Sequence, residues 1–196
     1  MEVSTVWQVV FALCVGISLS AACGFRVFAP LLIVSLAVRG GAFSVAESFQ
    51  WIGSDVALLM LLTATIVEVL AYYIPFVDNL LDTVSVPLAM IAGAIVMTGM
   101  LGELPPALRW GFGIAFGSAS AGLVQTSTAA VRGGSTAATA GAANRIFATI
   151  ENFFAFVFSV LAIDVPVICV ILLVVLLMIV IRVIIKRRRA ALDVRS

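Results

Sequence analysis

Three charged residues stand inside long apolar stretches of this sequence: Arg26, Glu68 and Glu151. A charge at the centre of a bilayer costs at least about 2.5–3.5 kcal/mol on insertion scales, so each is a candidate for function. Arg26 follows Gly24 closely, in a short segment that also holds Pro30. Its planar fork suits a carboxylate or a phosphate. Two readings are open. Arg26 pairs with Glu68 and locks two elements together, or it lies at the N-terminus of a broken helix, where the dipole and free amides favour an anion. Glu151 and Asn152, preceded by Asn144 and Arg145, are the counterparts in the second half. Two facing carboxylates repel in a low-dielectric site, so one would hold a proton or bind a cation. The structural alternative is an interfacial Glu151 paired with Arg145. The expected substrate-binding set is therefore Arg26, Glu68, Glu151, Asn152, Gly24 and Asn144.

Asp78 and Asp82 lie four apart, on one face if helical, beside Asn79. Carboxylates at that spacing are weak candidates for a hard divalent cation. No glycine-turn loop accompanies them, so a solvated turn is the simpler reading and no metal site is expected. The sequence contains no histidine, which removes His-ligated metals, a His proton relay and a Ser-His-Asp triad. Cys14, Cys23 and Cys169 fall in apolar runs and read as small apolar filler. Neither a cofactor nor an enzymatic reaction is expected.

The elements that must position these residues follow from composition. The chain has 196 residues, 63% of them apolar and 11% charged, with a mean hydropathy of +1.25. A soluble domain is about 45–50% apolar and about 25% charged. This composition excludes a soluble domain, a disordered tail and a nucleic-acid binder, and leaves a small polytopic membrane protein. Leu19 to Cys23 loosely resembles a signal cleavage site, but the first eight residues carry only Glu2 and no cation. A signal peptide needs a positive n-region, so a retained first helix is expected.

Apolar windows run over Thr5–Cys23, Gly24–Val38, Asp55–Ile74, Val84–Leu101, Leu108–Val124, Ile146–Ile163 and Val167–Ile185. Pro105-Pro106 divides the chain, because consecutive prolines cannot continue a helix. Between Gln125 and Ala143 nearly every residue is Ser, Thr, Ala or Gly, apart from Arg132. Gly113 and Gly117 form a small-xxx-small pair suited to close helix packing.

The two halves echo one another. Val38-Arg39-Gly40-Gly41 recurs as Val131-Arg132-Gly133-Gly134, Ala64-Thr65-Ile66 as Ala148-Thr149-Ile150, and Val86-Pro87 as Val165-Pro166. The expected architecture is a single all-α membrane domain over residues 1–196. It has about six transmembrane helices, two short re-entrant or broken segments (Gly24–Val38 and about Gln125–Ala143) and an inverted repeat. The repeats cover about 1–104 and about 105–185, and a basic tail covers 186–196. That tail, with Lys186, Arg187, Arg188 and Arg189, places the C-terminus in the cytoplasm by the positive-inside rule.

The segment Gly24-Phe25-Arg26-Val27-Phe28-Ala29-Pro30 and the later Ile74-Pro75-Phe76-Val77-Asp78-Asn79-Leu80-Leu81-Asp82 carry a family likeness. The chain resembles a bacterial family of small integral-membrane proteins described as a domain of unknown function. The resemblance implies a bacterial inner-membrane location, an all-helical fold and no assigned reaction. An arginine on a broken helix beside a proline is also similar in style to re-entrant lipid-phosphate flippases, an analogy of architecture alone. The expected function is a small transporter or channel that moves an ion or a lipid phosphate through a midplane site between two pseudo-symmetric halves. The alternative is a non-transporting scaffold or assembly factor whose buried charges fix helix register. The expected partners are the lipid bilayer, the ion or lipid-phosphate ligand, and a second copy of the chain to enclose a solute.

Overall fold

Lipid offers the backbone no hydrogen bonds, so a chain of this composition must satisfy its amides within each segment, as helix. The computed structural model describes residues 3–42, 44–139 and 144–193. Among these it has eight α-helices and no strand: α1 (Val3–Cys23), α2 (Phe28–Arg39), α3 (Asp55–Ala71), α4 (Pro75–Met100), α5 (Pro106–Phe112), α6 (Ser118–Thr139), α7 (Asn144–Asp164) and α8 (Pro166–Asp193). Glu47–Gly53 is a 3-10 turn, and Gly113–Gly117 is a π turn that joins α5 to α6.

Local chemistry sets several of these boundaries. Ser54 caps α3 by accepting the Ala57 amide at 3.1 Å, and Asp55 adds an acidic residue to the first turn, where the helix dipole favours it. Proline opens α4, α5 and α8, where its missing N–H costs nothing. The run Asp78–Asp82, expected as a polar turn, instead lies within the first turns of α4. Pro87, matched in the sequence with Pro166, lies inside the same helix, whereas Pro166 opens α8.

Helix α1 is the central element and packs against α4, α6, α7 and α8, while α3 leans on α2 and the 3-10 turn. The α1–α4–α6 contact is built from small residues. A Cβ on Gly93 would lie 2.5 Å from the Gly117 carbonyl oxygen and 2.7 Å from the Ala121 Cβ. A Cβ on Gly117 would in turn meet the Gly93 carbonyl. The Ser20 hydroxyl of α1 donates to the same Gly93 carbonyl at 2.8 Å. Backbones this close need glycine, and the packing gained is what associates helices in lipid.

Apolar side chains also face outwards. Val56, Leu59, Met60, Ile66 and Val67 of α3 and Val167, Ile168, Ile171 and Ile179 of α8 are all exposed. Exposed apolar helix faces of this kind mark membrane or partner contacts. Two described helical stretches, Val6–Cys23 and Asn144–Asp164, are long and apolar enough to cross a membrane, and the 3-10 turn with α3 makes a third if that bent pair is one span. The protein is a helical membrane protein, compatible with a membrane location. Helix α2, at 12 residues, reaches only about 18 Å at about 1.5 Å per residue. That is too short for a hydrocarbon core about 30 Å thick. The Gln125–Ala143 tract departs from the expected dipping segment: to Thr139 it continues α6 without a break. Its helix forms because alanine-rich sequence favours helix and the face at Ala121, Val124, Gln125 and Arg132 is buried.

Candidate functional site

The α1–α2 junction builds the site. Helix α1 ends at Cys23, and Gly24 lies so close to α6 that a Cβ there would be 2.5 Å from the Ala121 carbonyl oxygen. The chain then turns tightly, with the Gly24 amide on Ala21 and the Phe25 and Arg26 amides on Ala22, before α2 begins. The first four amides of a helix have no partner within it. Here Pro30 has none to offer, and Glu68 of α3 accepts two. Its Oε1 takes the Val27 amide at 2.7 Å and its Oε2 the Phe28 amide at 3.0 Å. Glu68 therefore serves as a carboxylate cap on α2, where the dipole stabilises it.

Arg26, only 1% exposed, points the other way, into α7. Its Nη1 donates to Glu151 Oε2 at 2.8 Å and to the Phe25 carbonyl at 2.9 Å. Its Nε donates to Asn152 Oδ1 at 2.5 Å, and its Nη2 donates to the Ala148 carbonyl at 3.1 Å. The ion partner of Arg26 is thus Glu151, whereas the sequence alone had suggested Glu68. Glu151 itself is buried, at 5% exposure, while Arg145 lies exposed at the start of α7.

Two further residues complete the cluster. Arg132 of α6 is also 1% exposed, and its Nε lies 3.3 Å from Glu151 Oε1. The Tyr72 ring lies beneath both guanidiniums, with Arg26 Cζ 3.8 Å and Arg132 Cζ 4.7 Å from its centroid. Both are cation–π contacts. Neither residue was among the expected site residues. Arg132 stood out only as the charge within the small-residue tract, though its spacing of seven from Gln125 puts both on one helical face. Tyr72 lies four residues after Glu68, again on one face. The matched tetrapeptides thus occupy unlike settings: Arg39 makes an exposed pair with Asp55 at 2.6 Å, and Arg132 is buried.

The remaining expected residues are placed as follows. Gly24 is the close-approach residue at the break, and Asn152 is a direct ligand of Arg26. Asn144 is buried at the start of α7. The side chains of Asp78 and Asp82 lie outside the described residues. Among the described residues no three His, Cys, Asp or Glu side chains gather in a group that could hold a metal.

Two gaps reach this cluster. A cavity of about 620 Å³ opens between α3 and α4, and Glu68 and Tyr72 are in its lining. A smaller one of about 140 Å³, among α6, α7 and α8, is lined in part by Glu151, Val131 and Leu176. The geometry thus joins a buried, charge-balanced cluster, from the α1–α2 turn and helices α3, α6 and α7, to two openings, one at each carboxylate. Residues 13–186 match the model of a family described as a domain of unknown function, DUF4126. The chain belongs to that family. No curated protein and no solved structure matches it. Membership of DUF4126 covers both sides of the Pro105-Pro106 division, so Arg26, Glu68 and Glu151 all fall within the family's span.

Proposed function

We propose that this DUF4126 protein is a small membrane transporter whose cargo, an ion or a lipid phosphate, passes through the Arg26–Glu151–Glu68 cluster. One observation carries the reading: the two carboxylates line two different cavities, Glu68 that between α3 and α4 and Glu151 that among α6, α7 and α8. Two buried carboxylates on either side of the α1–α2 break, Glu68 on its backbone amides and Glu151 on Arg26, reached by separate openings, are the elements of a site that can be exposed alternately. A discontinuous helix pair, α1 and α2, contributes half of it, as in transporters whose sites lie at broken helices. In this reading α1 and α2 run out and back, because Ser44 and Glu47 after α2 share a cavity with Trp7 near the start of α1. Helices α3, α4, the α5–α6 run, α7 and α8 cross, and the pairs α3–α4 and α7–α8 form the inverted repeat. The location is a bacterial inner membrane with the C-terminus in the cytoplasm. No bond-making chemistry is assigned to the site.

The test is flux from proteoliposomes loaded with a panel of inorganic ions, tetraphenylphosphonium and fluorescent phospholipids, with empty liposomes as the reference. Protein-dependent flux of one member supports transport. Absence of flux across the whole panel defeats it. Topology is tested separately by single cysteines at Ser48 and Ser135 in a background without native cysteines. Labelling of both from the cytoplasm rules out this arrangement, in which α3, α4 and the α5–α6 run separate the two positions.

A second reading has its own support. Arg26 is 1% exposed and donates to four acceptors, which is also what a purely structural lock between α2 and α7 requires. That reading, a non-transporting scaffold, predicts a crosslinkable membrane partner and no flux.

A further inference from the structure

We infer that the cavity between α3 and α4 is a binding site for a lipophilic organic cation, an apolar body carrying a positive charge that Glu68 would meet. The wall of the cavity is apolar, formed by Phe28, Leu59, Met60, Val67, Val84 and Leu88. Its volume of about 620 Å³ falls within the range of small-molecule sites, about 300–1,000 Å³. Most outward-facing residues of α3 are apolar, so a ligand partitioned into the bilayer can enter from the side.

The polar groups in the wall decide the sign of the ligand. The Thr63 hydroxyl donates to the Leu59 carbonyl of its own helix at 2.8 Å. The Ser85 hydroxyl accepts from Gln125 Nε2 at 2.7 Å. Glu68 is the charged residue among the described lining, and each of its oxygens accepts one backbone amide. A carboxylate offers about four acceptor sites, so Glu68 retains capacity for a cation without releasing α2. The guanidiniums of Arg26 and Arg132 cannot meet an anion here: each is 1% exposed and bound to Glu151. An anionic amphiphile would face Glu68 and no accessible positive charge. A cationic one finds an apolar wall and a single carboxylate at its base.

As a substrate class, this inference rests on the transport reading, but binding can be measured without flux. The probes are tetraphenylphosphonium and tetraphenylborate, ions of nearly the same shape and opposite charge, each titrated separately into the purified full chain in detergent by equilibrium dialysis. Saturable binding of tetraphenylphosphonium and none of tetraphenylborate is expected. Glu68→Gln should weaken it by about tenfold or more, the loss expected for a contact to a charged group. Because Glu68 also caps α2, a second variant is needed. Ala64→Trp fills the cavity and keeps the carboxylate, and should abolish binding with the fold intact. Binding of tetraphenylborate, no saturable binding of tetraphenylphosphonium, or binding unchanged by Ala64→Trp would overturn the site. Binding of tetraphenylphosphonium without flux of any solute upholds the site and removes the transport reading. Flux of another solute without that binding does the reverse.

Discussion

The Arg26 guanidinium and the Glu151 carboxylate, 125 positions apart in the chain, meet at 2.8 Å with side chains 0% and 6% exposed. The contact ties the break between α1 and α2 to α7. A buried pair is costly to form because both charges leave water, yet removing one partner strands the other.

Arg26→Leu should therefore destabilise the protein by about 3–5 kcal/mol. Arg26→Leu combined with both Glu151→Leu and Arg132→Leu should recover a large part of that loss, because Glu151 is shared by the two buried arginines and the three charges are then removed together. Thermal unfolding in detergent measures both. A triple variant as unstable as the single would show that the buried charges are not the source of the loss.

The Glu68 cap predicts a graded series. Glu68→Gln keeps an oxygen for one of the two amides and should cost about 1–2 kcal/mol, and Glu68→Ala should cost more. Hydrogen exchange at the Val27 and Phe28 amides reports the cap directly. Unchanged protection in Glu68→Ala would exclude it.

Much of this arrangement was legible in the sequence. Arg26, Glu68 and Glu151 stand out because lipid does not tolerate unexplained charge, and the break at Gly24 follows from glycine and a nearby proline. Which carboxylate Arg26 would choose was not legible. Glu68 and Glu151 are equally plausible partners until the direction in which Arg26 leaves the α1–α2 turn is known, and tertiary packing sets that direction. Arg132 was hidden for a different reason. Its neighbours Ser, Thr, Ala and Gly read as a short re-entrant segment, whereas their small size is what lets α6 pack close and bury an arginine. Tyr72 carries no charge, so a search for costly charges passes over it.

Tyr72 should contribute through its ring. Tyr72→Leu removes the surface on which both guanidiniums lie and should cost about 1–2 kcal/mol beyond any effect of Tyr72→Phe, which keeps the ring. Thermal shifts of the two variants, compared side by side, test this. Equal losses in the two would place the effect in the hydroxyl.

Two glycine substitutions should act with opposite sign. Gly93→Ala puts a methyl group against the Gly117 backbone and should destabilise by about 1–3 kcal/mol. Gly133→Ala, in α6 with nothing within 4 Å of the new methyl group, should stabilise by about 0.5–1 kcal/mol through helix propensity. Unfolding midpoints in one detergent are enough to compare them. A stable Gly93→Ala would contradict the close α4–α6 approach.

The most direct measurement is solute and lipid flux in proteoliposomes carrying wild-type protein or Glu151→Gln, with folding checked by gel filtration and circular dichroism. Glu151 links both arginines to the smaller cavity, so transport through the cluster predicts protein-dependent flux for the wild type and its loss in the folded variant. Wild-type flux that persists undiminished in Glu151→Gln would contradict passage through the cluster, and so would a wild type that moves nothing across the panel.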